Sequence, residues 1–377
     1  MSPTNSIPVV EDWLGQTAEL PTPSLVIDLG RVRRNVERLA TYAAGHQLNV
    51  RPHTKTHKSL ELASLQIAAG ARGLTAAKVG EAERMAEADP DILVAYPAFD
   101  PNRAPRLARL GQHRTVRVAV DSAEGIEALA TAARSAGATL GILVDLDVGL
   151  HRTGVATPGE ALVLAQHVDR TQGVRLDGLF CYPGHIWGTP ESQVARLETV
   201  DSLLAETLAL WKASGLAASI VSGGSTPTAY RSHHCRSLTE IRPGTYIFND
   251  RNTVEGGYCG WDDCAARVVC TVVSTAVPGQ VVIDAGAKTL AADRCIPALE
   301  SGQGFVVEFP EAKITALSEE HGQIDVMKCP RRPRLGERLT VIPNHICPCV
   351  NLQEAYWSFG PDTTPERRPV DTRGLLT

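Results

Sequence analysis

The 377-residue chain contains no apolar run approaching the roughly 18 to 20 residues a helix needs to cross a bilayer. Its N-terminus, MSPTNSIPVVEDW, lacks a basic stretch leading into an apolar one, so no secretory leader is read there. Positive charge is not in excess either. With 37 Lys and Arg against 42 Asp and Glu, the net charge of −5 supplies no field to attract nucleic acid or an acidic membrane surface. The expectation is a cytoplasmic protein with neither partner. The nine cysteines are an odd number and seven lack any framework spacing, which suits a reducing compartment. No G-x-G-x-x-G follows the first strand-like run, which argues against a dinucleotide-binding sheet, and no repeat or low-complexity segment occurs.

What is present is enough apolar sequence, 43%, to bury a large core, over a length that favours two domains or a barrel with an addition. From about residue 22 to 250, short β-branched runs alternate with alanine-, leucine- and charge-rich stretches. SLVIDL, LNVRPHTK, GLTAAK, DILVAYP, TVRVAVDS, LGILVDLDVG, LDGLFCYPGH, SIVSGGST and EIRPGTYIF read as strands. Segments such as GRVRRNVERLATYAAG and SAEGIEALATAARSAG read as helices ending at glycine. So many βα units favour an α/β fold of the (β/α)8 TIM barrel type over residues 22–255. Beyond residue 255 the β-like runs ARVVCTVVSTAV, QVVIDAGA, FVVEF and ERLTVIPNH are broken by Pro and Gly, and no long helix is read. Residues 256–377, with part of 1–21, are expected to form an all-β domain.

Period-two alternation along LNVRPHTK puts Asn49, Arg51, His53 and Lys55 on one face and Leu48, Val50, Pro52 and Thr54 on the other. With the apolar face toward the helices, the polar face points into the barrel and gathers at the strand's C-terminal end, where barrel active sites lie. A lysine there has a chemical task, because a partly desolvated amine forms Schiff bases with carbonyl compounds. Lys58 falls beyond the strand and reads as the start of a solvated loop. Further along, VSGGSTPT (221–228) and RPGTYIFND (242–250) end strands with glycines and hydroxyl residues whose main-chain N–H groups can approach an anion. An early Schiff-base lysine and a late phosphate cup together imply pyridoxal phosphate.

TPSLVIDL, RPHTKTHK, VDLDVGLHRTGV, YPGH, SGGSTPT, RPGTYIFND, DAGAK and PNHICPCVN, in that order, resemble the D-serine dehydratase and D-threonine aldolase family of fold type III, alanine racemase-like, pyridoxal phosphate enzymes. The resemblance runs from about residue 20 to 355. It implies a cofactor-carrying barrel, a closing β domain that bears a metal, a homodimer, and action on D-amino acids. Lys55 then resembles the Schiff-base lysine, flanked by His53 and Thr56. Arg152 and Tyr182 are alternative partners of the pyridine nitrogen, and Gly224, Ser225, Thr226, Gly244, Thr245 and Tyr246 hold the phosphate.

In PNHICPCVN, His345 and Cys347 lie two apart. On a strand, residues i and i+2 share a face, so an imidazole and a thiolate could grip one ion with positions left open. Zinc suits that pair, with Mn²⁺, Co²⁺ or Mg²⁺ as alternatives, and Cys349 on the same alternation is a competing ligand. The resemblance implies that the metal acts as a Lewis acid on the β-hydroxyl of the substrate. Two lyase reactions branch from there. A dehydratase, acting on D-serine or 3-hydroxy-D-aspartate, releases a 2-keto acid and ammonia. An aldolase releases glycine and an aldehyde, with His185 or His53 as the base for the hydroxyl. Aldolase members carry aspartate at the position of Cys347 and dehydratase-like members H-x-C, which favours the dehydratase. A non-catalytic pyridoxal phosphate carrier is the remote alternative, since such carriers lack the β domain. Arg51 and His53 are candidates for a distal substrate carboxylate or simply surface residues, and for His233, His234 and Arg236 the surface reading is favoured.

Overall fold

The computed structural model describes residues 13–361 and 363–377, which divide into two compact units. One comprises the chain up to Val36, Thr56–Lys58 and Thr245–Arg373; the other comprises Glu37–Lys55, Ser59–Gly244 and Gly374–Thr377.

The larger unit is built on eight parallel strands: β2 (Asn49–Val50), β3 (Leu74–Ala76), β4 (Asp91–Val94), β5 (Thr115–Val120), β6 (Leu140–Asp145), β7 (Val174–Phe180), β8 (Ile220–Gly223) and β9 (Glu240–Ile241). They run β2-β9-β8-β7-β6-β5-β4-β3 through the ladders, and a parallel bridge from His53 to Thr75 joins the two ends. Backbone bonds from Arg72 N–H to Val50 O, Thr75 N–H to Pro52 O and Thr54 N–H to Thr75 O, each 2.9 Å, complete that junction. The intervening helices carry the expected local signals. Ser122 caps Ala123–Ala136, which ends on Gly137 in the left-handed region. Thr157 and Glu160 form a reciprocal capping box, with Pro158 opening Pro158–Arg170. Inside the ring the strand beginnings carry ion pairs as well as aliphatic filling. Arg51 reaches Glu240 at 3.0 Å and Asp91 at 2.8 Å, and Arg117 reaches Asp177 at 2.7 Å.

The smaller unit centres on a sheet running β13-β14-β11-β10-β1-β16-β17, in which β15 pairs with β10 and with β12. Its strands are β1 (Ser24–Asp28), β10 (Ala266–Ser274), β11 (Gln280–Ile283), β12 (Phe305–Val306), β13 (Lys313–Leu317), β14 (Gly322–Asp325), β15 (Arg338–Ile342), β16 (Ala355–Phe359) and β17 (Glu366–Pro369). The ladders are antiparallel except that of β1 with β16.

SLVIDL was expected to open the barrel. It forms β1, paired on one side with β10 and on the other with β16, so the barrel's eight strands begin at Asn49. Leu25, Val26 and Ile27 are fully buried there, each worth roughly 1.5–3 kcal/mol. Of the stretch 1–21 expected to belong partly with the β-rich region, residues 1–12 lie outside the described residues, while Trp13 and Leu20 pack with Val26, Val269 and Phe359. The β-rich unit also holds short helices, among them Arg251–Glu255 and Ile346–Leu352. Among the described residues no helix is long and apolar enough to cross a membrane.

Candidate functional site

In the barrel unit, candidate residues collect just past the strand ends. Lys55 is exposed and lies in a turn two residues after the His53 bridge, with its N–H 3.5 Å from His53 Nδ1. The expected alternation through residue 55 therefore stops at His53. After β6, Asp145 accepts a 2.8 Å bond from Thr153, and burial pushes its carboxyl up to about 6 despite the nearby Arg242 and Arg152. After β7, the ring of Tyr182 lies 4.8 Å beneath the Arg152 guanidinium. A Cβ on Gly184 would fall 2.3 Å from Tyr182 Cε1, so glycine lets that ring fold back over the loop. Asp145, Asp147, Leu150, Arg152, Thr153 and Tyr182 line one small cleft.

His185 follows on the same loop. Burial and Arg196 lower its pKa, so the ring is neutral near pH 7, and its Nδ1 is buried without a hydrogen-bond partner among the described residues. Gly149, with φ of +115°, admits the ring: a Cβ there would stand 3.0 Å from His185 Nε2. A larger cleft of about 960 Å³ lies between helices Arg103–Gly111 and Ala123–Ala136, and no candidate residue lines it.

Past β8, Gly224 has φ of +81°, and a Cβ on it would meet Ile241 at 3.2 Å. Glycine is thus required both by conformation and by close approach of the neighbouring strand. Among the described residues the backbone N–H groups of Gly224 and Thr226 donate to no protein acceptor, whereas Ser225 is tied to Thr228 Oγ1 through its N–H at 3.3 Å and its hydroxyl at 3.0 Å. Gly244 is buried at the end of the adjoining turn. Free N–H groups on a glycine cradle and an accessible lysine amine are what a phosphorylated aldehyde cofactor requires, so this unit's residues fit pyridoxal phosphate.

In the β-rich unit, Thr245 and Tyr246 open a single 3₁₀ turn. His345 is the residue before helix Ile346–Leu352, with extended φ/ψ of −134° and 114°, and Cys347 lies in its first turn. The expected strand geometry is thus replaced by a helix start, yet Cys347 stays close enough to His345 to act on its charge. Cys349 is not a competing donor: it is buried and bonds to Thr289 O at 3.1 Å, because two residues along a helix turn about 200°. The Asp250 carboxylate accepts from His345 Nδ1 at 3.1 Å, and Cys347 Sγ lies 3.1 Å from Thr56 Oγ1 and 3.6 Å from Thr245 Oγ1. Burial alone would lower the His345 pKa, but Cys347 and Asp250 outweigh it and hold it at about 11. Positive charge is therefore stabilised at this pair, and the paired soft donors fit a divalent ion such as zinc. Among the described residues no set of three or more His, Cys, Asp or Glu side chains is arranged as metal ligands, so the pair is open-sided.

Two readings need correction. Arg51 is committed to Glu240 and Asp91 and is unavailable to a substrate carboxylate. His233, for which the surface reading is favoured, is half-buried, stacks on His46 at 4.1 Å and bonds to Tyr42 at 2.7 Å. Lys58 is buried, where a solvated loop was expected. The sequence reading missed Asp145, Asp250 and Arg242. Arg242 is buried, donates to Ser222 Oγ and Cys181 O at 2.7 Å each, and lies 3.8 Å over the Phe180 ring. All three stand inside motifs already singled out, VDLDVG, YIFND and EIRPG, but burial alone marks them.

Residues 27–252 match the family described as alanine racemase, N-terminal domain, and residues 265–359 match a serine dehydratase domain. The chain is 32% identical to a D-threonine aldolase of an Arthrobacter species, over 89% of this chain and 88% of that one. It is also 32% identical to D-threo-3-hydroxyaspartate dehydratase of a Delftia species, over 91% of this chain and 95% of that one. The structure of a D-threonine aldolase from Filomicrobium marinum superposes with a TM-score of 0.87 at 30% identity, covering 96% of this chain and 98% of that one. A D-threo-3-hydroxyaspartate dehydratase structure with a cysteine-to-alanine substitution, described as a metal-free form, superposes at 0.83 with 30% identity, covering 93% and 97%.

Proposed function

We propose that this chain, which belongs to the alanine racemase N-terminal domain family and carries a serine dehydratase domain, is a pyridoxal phosphate- and metal-dependent lyase acting on 3-hydroxy-D-amino acids. Removal of water from D-serine or 3-hydroxy-D-aspartate is its favoured reaction. The observation that carries this reading is the His345–Cys347 pair, an imidazole and a thiol close enough to act on each other, the imidazole backed by a buried carboxylate. A racemase has no use for such a pair. The equal similarity to an aldolase and to a dehydratase keeps aldol cleavage as the second reading.

Bound pyridoxal phosphate supplies an electron sink for the substrate Cα, and the metal supplies a Lewis acid for its β-hydroxyl. Lys55 would hold the cofactor through its Nζ, and with that amine free it would take the substrate Cα proton there. Gly224 and Thr226 present backbone N–H groups to the phosphate, and Thr245 and Tyr246 begin the 3₁₀ turn that follows the Gly244 loop. Arg152 and Tyr182, stacked together, are the ring-facing pair. His345 and Cys347 hold the metal. Loss of the Cα proton and the β-hydroxyl releases one water, and hydrolysis of the resulting enamine gives keto acid and ammonia. In aldol cleavage His185, neutral and with an Nδ1 unpartnered among the described residues, takes the hydroxyl proton instead. We further infer a cytoplasmic homodimer using zinc.

The test is a product assay on zinc-loaded protein with D-serine, D-threonine and both 3-hydroxy-D-aspartate diastereomers. Keto acid and ammonia, abolished by chelation and by Lys55→Ala, are expected. Glycine and aldehyde would replace the dehydratase with the aldolase, and neither product would reject the lyase.

A further inference from the structure

We infer that Asp250 is the positioning residue of the metal centre, fixing which nitrogen of His345 faces the ion. The inference rests on the proposed role of His345 and Cys347 and adds to it. Asp250 ends the segment YIFND, is fully buried, and uses both carboxylate oxygens. Its Oδ1 accepts from Thr253 N–H at 3.0 Å, capping helix Arg251–Glu255. Its Oδ2 accepts from the Ile346 N–H and from His345 Nδ1, each at 3.1 Å.

A carboxylate has only lone pairs to offer, so Nδ1 of His345 keeps its proton, and Nε2 is the nitrogen that can give up its own to bind an ion. The nitrogen that will face the ion is chosen before any ion arrives. The second bond from Oδ2, to Ile346 N–H, anchors the same carboxylate to the first residue of the helix that carries Cys347. One oxygen therefore sets both the rotation of the imidazole and the start of the helix that presents the thiol. Asp250 is itself held from behind, since its own N–H donates to Thr253 Oγ1 at 2.8 Å. Asparagine cannot reproduce this set. All three groups aimed at the carboxylate are N–H donors, so an amide nitrogen would face one of them. A carboxylate behind a ligating histidine also raises the ring's donor strength, and loss of such a partner typically costs about 10- to 100-fold in metal affinity.

The experiment measures zinc affinity by competition with a chromophoric chelator for wild type, His345→Ala, Cys347→Ser, Asp250→Asn and Thr253→Ala. The last variant weakens the same helix cap while leaving the carboxylate facing His345. The expected result is affinity lost in Asp250→Asn by about 10- to 100-fold, with a shifted visible spectrum of the cobalt-substituted protein, and a much smaller loss in Thr253→Ala, which removes the acceptor of the Asp250 N–H but keeps the carboxylate. Equal loss in both variants, or none in Asp250→Asn, would overturn the inference while leaving the metal pair in place. Unchanged affinity in His345→Ala and Cys347→Ser would instead overturn the metal site itself. Because Asp250→Asn can compromise folding, nitrogen-15 NMR of histidine-labelled wild-type protein reads the tautomer directly. In the zinc-loaded protein a proton on Nδ1 of His345 supports the inference, and a proton on Nε2 contradicts it.

Discussion

Cys347 Sγ lies 3.1 Å from the hydroxyl of Thr56, the residue that immediately follows Lys55 in the chain. The Cys347 thiol donates to this hydroxyl, and once the thiol gives up its proton on binding a metal the hydroxyl can turn to donate in its place; Thr56 is fully buried, so no water replaces it. Thr56→Val is expected to weaken zinc binding several-fold, about what one lost hydrogen bond of roughly 1 kcal/mol gives. Thr56→Ser should restore most of it. Chelator competition on the three proteins checks the order.

Lys55→Ala should abolish the visible absorption of the Schiff base and reduce turnover by at least about a thousandfold, since no other lysine is placed in the cofactor's role. Borohydride reduction of wild type followed by peptide mapping should place the label on Lys55. A label on Lys58, which is buried, would contradict the assignment.

Gly224→Ala places a Cβ at 3.2 Å from Ile241 on a backbone with φ of +81°. The strain is expected to cost about 1–2 kcal/mol of stability. Because the same loop presents the free N–H groups, the cofactor dissociation constant should rise as well. Denaturant melts of the apoprotein and cofactor titration separate the two effects.

Asp145 carries a pH signature. Burial raises its carboxyl in the folded protein to about 6, above the unfolded value of 3.8. The folded state thus holds the proton more tightly, and this carboxyl's contribution to stability is complete below pH 3.8 and is lost as pH rises through about 6. Asp145→Asn removes that loss. Its stability relative to wild type should improve by up to about 3 kcal/mol between pH 4 and 7. Denaturant unfolding across that range checks it, and a constant difference would show that Asp145 does not titrate there.

The barrel strands were legible because alternating β-branched runs separated by capped helices leave few alternatives. SLVIDL was misplaced for the same reason. A buried aliphatic run followed by a helix looks identical whether its ladder partners are barrel strands or β10 and β16, and only the register decides. The His345 and Cys347 pair was found through the wrong geometry. The two side chains lie close because His345 is extended and precedes the helix, a cap position that spacing does not distinguish from a strand. Asp145, Arg242 and Asp250 were hidden in plain motifs, since what marks them is burial among partners distant in sequence. Asp250 lies 95 residues from the histidine it holds.

The central claim is that Lys55 and the His345–Cys347 pair do separable work on one substrate. The direct measurement follows D-serine and the 3-hydroxy-D-aspartates in deuterated water, with and without chelation, scoring exchange of the Cα proton and release of keto acid or aldehyde together. The account predicts that the metal-free protein still exchanges the Cα proton of the D-enantiomer while product release stops, and that zinc restores release. Product formation undiminished after the metal is removed would contradict it.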